Sequence, residues 1–406
     1  MDIEKTICLN MIVKDESEII ITTLNNLCDY IKFNYWVISD TGSTDNTKEL
    51  IIDFFKEKNI PGELIENKWK DFSSNRNKAL NHAYNKTDYL FIFDADDSIN
   101  GNLILPKQYE HDQYNFYFEQ EHHFTRPLLI NNKKRWIWKG VLHEVLCALS
   151  DINITTLIGD YYIKSGRVGN RNKNPNKYLN DAIVLKNAFK IEKDILLKSR
   201  YAFYCGQSYK DHATNNEKKY YDNSIKWYKK CLTLNNWDQE KYIACKNIGE
   251  MYIYKNDYNN ALKYWYNSIK YDNERIECIV MIMKLLQEHY EHHYVVNLLY
   301  HKYKDYNHIL DDKLFIETWV NYKLEYYNII SAYYTNDKQS GYDCCKKLIL
   351  NNINITLIFE YLINYIDELK NDKDTLQLFN ILENHIKSSN INNLTKIYDI
   401  LYELNN

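Results

Sequence analysis

The sequence predicts an α/β domain on a mostly parallel, Rossmann-like sheet over residues 1–175, followed by an all-helical region. Three observations carry this. Up to about residue 165, short apolar runs alternate with amphipathic stretches; beyond about residue 176 only the helical period remains. Within that helical region, two stretches align with each other.

The elements follow in order. ICLNMIV (7–13) is a buried strand, followed by a helix from Glu16 to Tyr30. YWVISD (35–40) is a second strand and Thr44 to Lys58 a second helix. GELIEN (62–67), a helix from Ser74 to Tyr84, and YLFIFD (89–94) complete the alternation. Strand and helix in turn imply parallel strands covered on both faces, with ligands at the strands' carboxyl ends. Lys14-Asp15-Glu16, Asp40-Thr41-Gly42-Ser43 and Asp94-Ala95-Asp96-Asp97 all fall at such ends.

In the helical region Gly249, Tyr252, Ala261, Trp265 and Ser268 have the spacing of a 34-residue helix-turn-helix repeat. Gly206, Tyr209, Ser224, Tyr228 and Cys231 form the preceding copy, with six extra residues between its helices. This divides the chain into 1–175, repeats over 176–280, and a further helical region over 281–406 that continues the stack.

Composition narrows the classes. A formal charge of −4 advertises no nucleic-acid or anionic-lipid surface. No apolar run reaches membrane-spanning length, and the N-terminus lacks the pattern of a signal peptide, so a soluble, cytoplasmic protein is expected. Nine scattered cysteines without a C-x-x-C pair argue against a disulfide framework or zinc cage. The excess of Asn, Ile, Lys and Tyr is that of an AT-rich coding genome.

Asp94 and Asp96, one residue apart at a strand end, suit a divalent cation that bridges phosphate oxygens; the alternative is a solvated acidic turn. Gly42 permits a tight turn, Ser43 or Thr44 is placed to cap the next helix, and Asp40 is an acceptor for a nucleotide base or ribose. Glu119, Glu121, His122 and His123 cluster in sequence, but on an alternating strand or its turn they read as partly exposed.

NMIVKDE, VISDTGSTDNT, KWKDFSSNRNKAL and YLFIFDADD, in this order, resemble the inverting GT-A glycosyltransferases of family 2. WIWKGVLHEVL, NPNKYLNDAIVLKNA and the repeats resemble the subgroup with C-terminal tetratricopeptide-like repeats. The resemblance implies a nucleotide-sugar donor, a UDP-sugar by expectation, with Mn2+ or Mg2+. It places Glu16 and Asp40 at the base and ribose, Arg76 near the nucleotide with Asn75 beside it, and Asp94 and Asp96 at metal and diphosphate, Asp96 being the closer ligand. Glu144 becomes the base acting on the acceptor, with His143 the second choice or a metal or diphosphate ligand. Family members often carry a histidine or a basic residue near the diphosphate; the matching stretch YYIKSGRVGNR has no histidine, and its Lys164, Arg167 and Arg171 either neutralise phosphate, Arg167 foremost, or form a solvated linker.

The acceptor is a glycan, a protein or a small molecule, and the repeats offer a concave surface for it, for a homodimer or for a protein partner. A nucleotidyltransferase would need a Gly-rich loop, and LNMIVKDESE has no glycine. The other alternative is a catalytically inactive scaffold.

Overall fold

Strands β1 (Ile7–Val13), β2 (Tyr35–Asp40), β3 (Gly62–Glu66) and β4 (Tyr89–Ile92) pair in parallel in the order β3-β2-β1-β4. They alternate with helices α1 (Ile20–Tyr30), α2 (Thr47–Glu57) and α3 (Phe72–Ala83). The molecule is a computed structural model that describes residues 4–119, 122–215, 218–234, 237–306, 313–372, 375–389 and 394–405.

Successive residues on these strands point to opposite faces, and both faces are buried. Leu9, Met11, Ile38 and Phe91 pack with Leu24, Leu27 and Phe55 in one apolar cluster. Cys8, Val37, Leu90 and Ile92 pack with Leu80, Ala83, Trp136 and Trp138 in another. Continuous apolar runs therefore mark these strands in the sequence.

Beyond β4 come β5 (Ser98–Gly101), β6 (Gln113–Phe118), β7 (His122–Asn131), β8 (Trp136–Lys139), β9 (Val145–Ala148), β10 (Ile154–Thr156) and β11 (Tyr161–Lys164). The sheet continues β4-β7-β6-β11-β5, and β8-β9 form a separate hairpin. The β4-β7, β7-β6 and β11-β5 pairings are antiparallel. The sheet is thus mixed: β6 pairs in parallel with β10 and β11, as β1 to β4 pair among themselves, and the antiparallel pairings are those of β7 with β4 and β6 and of β5 with β11. Of these, β6 and β7 follow one another through a short connection, which favours antiparallel pairing.

Helices α4 (Lys177–Ile191), α5 (Ile195–Asn215), α6 (Tyr221–Leu232) and α7 (Asp238–Tyr254) follow. The chain divides into two compact units: residues 1–251 with 310–316, and residues 252–309 with 317–406. The first holds the sheet together with most of the helices from α4 to α7. The second contains α8 (Tyr258–Ser268), α9 (Glu277–Tyr290), α10 (His293–Tyr303), α11 (Lys323–Tyr334), α12 (Lys338–Leu350), α13 (Ile355–Leu362), α14 (Ile366–Asn371), α15 (Leu376–Ser389) and α16 (Thr395–Asn405). Among the described residues no helix is long and apolar enough to cross a membrane.

The small residues of the first aligned stretch mark a close helix approach. A Cβ on Gly206 of α5 would stand 2.9 Å from the Tyr228 ring of α6. The Ser224 hydroxyl donates to the Gly206 carbonyl at 2.9 Å. Replacing Gly206 by Val should overpack this seam and destabilise the first unit by about 2 kcal/mol, despite valine's better helix propensity. Urea unfolding would check this; an unchanged midpoint would remove the close approach as the reason for glycine.

Candidate functional site

The carboxyl ends of β1 and β2 are laced together before any ligand is considered. Asp15, at φ 55°, accepts from the Thr44 backbone N–H at 2.6 Å, and its own N–H donates to the Ser43 hydroxyl at 2.9 Å. The Glu16 N–H donates to the Thr47 hydroxyl at 2.8 Å, and the Ser17 N–H to Asp45 at 3.1 Å. Ser43 and Thr44 are therefore used across the two loops and do not cap α2. The carboxylate at that helix start is Asp45, which accepts from the Thr47 N–H at 3.1 Å. Helix α1 begins at Ile20 because residues 16–19 form the preceding turn, closed by the Ile19 and Ile20 N–H groups on the Glu16 carbonyl.

Asp40 is buried at the end of β2. Its Oδ1 accepts from the Gly42 and Ser43 N–H groups at 2.8 and 2.9 Å, and Gly42 takes φ +107° to allow this turn. Its Oδ2 is buried without a hydrogen-bond partner. An unpaired buried acceptor is costly, so this oxygen is fitted to receive an N–H or O–H from a bound molecule.

Arg76 of α3 is the hub of the site. Its Nη2 meets Asp94 at 2.5 Å and its Nε meets Glu144 at 2.6 Å. Burial opposes its charge, but Asp94 and then Glu144 hold it firmly protonated. Its guanidinium carbon also lies 5.1 Å from the Trp138 ring centroid. Asn77, one residue on, exchanges two 2.8 Å hydrogen bonds with the Trp138 backbone, which fixes α3 against the hairpin that carries Glu144. Asn75 faces elsewhere: it accepts from the Lys70 N–H at 3.0 Å and braces the loop before α3.

Arg126 of β7 also meets Asp94, at 3.3 Å, and reaches Asp97 at 4.0 Å. Burial raises the Asp94 pKa, but Arg76 and Arg126 outweigh it and hold the carboxylate well below the usual range. Asp96 differs. Burial, then the charge of Asp94, pushes its carboxyl up, and no ion pair is made to it among the described residues. Glu16 is pushed up to about 7, first by burial, with Asp96 among the charges adding to it.

The loop after β11 closes over these acids. A Cβ on Gly166 would overlap the Asp96 carbonyl, and one on Gly169 would stand 2.9 Å from Asp96 Oδ2 and 3.3 Å from Glu16 Oε1. Asp96 and Glu16 thus converge beneath Gly169. Such under-neutralised carboxylates fit a divalent cation, although no three His, Cys, Asp or Glu side chains form a metal cage among the described residues. Cation binding here would draw further oxygens from a diphosphate or from water.

The basic residues of that loop separate. Arg167 is exposed and makes no ion pair among the described residues. Arg171 is tied to Asp181 of α4 and lies 5.0 Å from the Phe72 ring centroid, so it braces α4 against α3.

His143 and Glu144 sit in the turn between β8 and β9, with His143 at φ 52°. Glu144 Oε1 is taken by Arg76, while no hydrogen bond is made to its Oε2 among the described residues. His143 stacks on Tyr204 of α5, ring centroids 4.0 Å apart at 6°. Arg200 of α5 donates to the His143 carbonyl at 2.7 Å and pairs with Glu240 of α7 at 3.2 Å. The surrounding protein, then the charges of Arg200 and Arg171, push the His143 pKa down, which favours the neutral imidazole.

Sequence reasoning missed Arg126, Arg200, Tyr204 and Glu240. None stands in a motif, and a basic residue within an apolar strand was the one available signal for Arg126. Of the cluster on β7, Glu119 accepts from the Ser165 N–H at 2.9 Å. Glu121 and the side chains of His122 and His123 lie outside the described residues.

Residues 8–138 match the family model described as glycosyl transferase family 2. These residues form a glycosyltransferase domain. The enzyme is also similar to solved structures at low identity. The mannosyltransferase PcManGT from Pyrobaculum calidifontis, in complex with GDP-Man and Mn2+, is 20% identical with a TM-score of 0.22; the match covers 24% of this chain and 29% of that one. S. aureus TarS 1-349, in complex with UDP-GlcNAc, is 13% identical with a TM-score of 0.31, covering 63% of this chain and 89% of that one. No curated protein matches the chain.

Replacing Arg76 by Ala strands Glu144 and leaves Asp94 to Arg126 alone, and should cost about 3–5 kcal/mol in denaturant unfolding at pH 7. The Asp94 pKa is depressed in the folded protein, so its stabilisation is present above the unfolded value of 3.8 and is lost as pH falls through the folded value. The wild-type advantage over Arg76→Ala should therefore shrink below about pH 4. An advantage that stays constant from pH 7 to pH 3 would remove Arg76 as the hub.

Proposed function

We infer that this glycosyltransferase moves a sugar from a nucleotide-sugar, a UDP-sugar by preference, to an acceptor hydroxyl with inversion, aided by Mn2+ or Mg2+. The observation that carries this is the Asp94–Arg76–Glu144 bridge, whose Arg76 and Asp94 lie in the stretch that matches family 2. It joins the strand-end acids of the donor side to an acid on the β8-β9 turn.

Asp40 Oδ2 accepts from the nucleotide's base or ribose, and Glu16, in the loop after β1, is the second acid of that side. Asp96, with Asp94 behind it, would hold the cation; when bound, the cation supplies charge relief to the departing nucleoside diphosphate. Arg167 and Lys164 add positive charge on the diphosphate side. Glu144, held by Arg76 through one oxygen, presents the other to the acceptor O–H. It takes the proton as that oxygen bonds to the anomeric carbon and the bond to the diphosphate breaks on the opposite face. A single displacement of this kind inverts the anomeric centre. The neutral imidazole of His143 is the second candidate for the proton. The mixed sheet and ordered motifs support a GT-A domain, and the Gly206–Tyr228 seam supports tetratricopeptide-like packing in the helices that follow.

Thermal shift against nucleotide sugars, with and without Mn2+, tests the donor side. A ligand at one hundred times its dissociation constant should stabilise the first unit by about 2.7 kcal/mol. A metal-dependent shift that Asp96→Ala abolishes supports the reading; no shift with any nucleotide under any metal condition would sink it. Glu144→Gln should keep that shift and lose about 100-fold or more of transfer rate. Full transfer by Glu144→Gln, with loss in His143→Ala, would move the proton to His143.

A further inference from the structure

Helices α4, α5 and α6 enclose a second cleft, of about 340 Å3, away from the acids described above. Five lysines line it: Lys186 and Lys190 from α4, Lys198 from α5, Lys226 and Lys230 from α6. Among the described residues none of the five is in an ion pair. The nearby Glu192 directs its carboxylate to the backbone N–H groups of Lys193 and Asp194, at 2.8 and 3.0 Å. Lys186 and Lys190, and again Lys226 and Lys230, stand four residues apart on one helix face, a like-charge spacing that destabilises a helix. Lys198 donates to the Glu192 carbonyl at 3.3 Å, but among the described residues no carboxylate neutralises this concentration of positive charge in a chain of net charge −4.

The cleft also has an aromatic component. Phe189 is buried, and the partly exposed Trp227 meets it edge-on, centroids 5.2 Å apart at 78°. The ammonium groups of Lys198 and Lys230 lie 5.0 and 4.6 Å from the Phe189 ring centroid. A neutral sugar would leave five ammonium groups unanswered, and an acidic peptide would not need the indole. A single-stranded nucleic acid needs successive open stacking platforms. Here Phe189 is buried beneath Lys198 and Lys230, whereas Trp227 is partly exposed with the Lys230 ammonium 5.8 Å from its ring centroid, so an indole edge and a cation stand together for one charged pyranose.

A second hollow, of about 460 Å3, shares Lys190 with this cleft and extends along Val184, Ala188 and Ile191 to Val141. Val141 lies three residues before Glu144, and its N–H donates to the Tyr201 hydroxyl of α5 at 3.1 Å. We propose that the lysine cleft binds an acidic glycan, its phosphate or carboxylate groups on the lysines and a sugar ring on Trp227, as the acceptor chain led past Lys190 toward Glu144. This rests on the sugar-transfer reading for its acceptor role, while binding itself can be measured apart from it.

The test is calorimetric titration of the full chain with an oligomannuronate, which carries carboxylates, and a phosphomannan oligosaccharide, which carries phosphates. Neutral mannan, oligoglutamate and single-stranded DNA of matched charge serve as comparators. At least one acidic glycan should bind, and which one identifies the anion. The triple variant Lys190→Glu, Lys226→Glu, Lys230→Glu should weaken it by about tenfold or more, and Trp227→Ala by about threefold or more. Acceptor-free hydrolysis of nucleotide sugar should be unchanged in both variants, which also reports that they are folded. The proposal is overturned if neither acidic glycan binds, if any comparator binds as tightly, or if the variants lose nothing. Acidic-glycan binding without any nucleotide-sugar response would overturn the transfer reading and the acceptor role and leave a glycan-binding cleft.

Discussion

A single buried guanidinium ties the site together. Arg76 carries one positive charge between two carboxylates that come from different parts of the domain, Asp94 at the end of β4 and Glu144 in the β8-β9 turn. A charge in that position is stable only because both partners are present. Everything that sets the distance between the donor-side acids and Glu144 therefore converges on α3. The Asn77 bonds to the Trp138 backbone and the Asp71 cap on the Ser74 N–H keep that helix in place.

The contrast between Asp94 and Asp96 follows from this arrangement. Both acids leave the same strand, but Arg76 and Arg126 neutralise the first and no arginine reaches the second. Asp96 instead faces Glu16 beneath Gly169, where negative charge accumulates. The glycines at 166 and 169 let the loop after β11 come close to these acids without a side chain to fill the space. One end of the crevice is thus internally balanced and stiff, and the other is left to be balanced by what binds.

The helices after the sheet take part in the site. His143 lies flat on Tyr204, and Arg200 holds the His143 carbonyl while pairing with Glu240. A turn with a residue at positive φ is costly to hold in a free loop, and α5 supplies the contacts that hold it. The sequence suggests the helical region as a surface for an acceptor or partner; in the first unit its α5 also forms a wall of the β8-β9 turn.

The local pattern in the sequence determined much of the first half. Apolar runs buried on both faces located β1, β2 and β4 to within two residues, and Asp40, Asp94 and Asp96 fall at the carboxyl ends of β2 and β4. Helix starts were less legible, because Ser43 and Thr44 look like caps until a neighbouring loop claims them. Strand direction beyond β4 was not legible either, since an alternating strand carries no mark of its neighbour's orientation. Only the tertiary structure decided which charges meet. The pairings of Arg76 with Glu144, Arg126 with Asp94 and Arg200 with the His143 turn span 68, 32 and 57 residues. Periodicity reports a residue's burial against its own element, whereas a charge's partner depends on where distant elements are brought together.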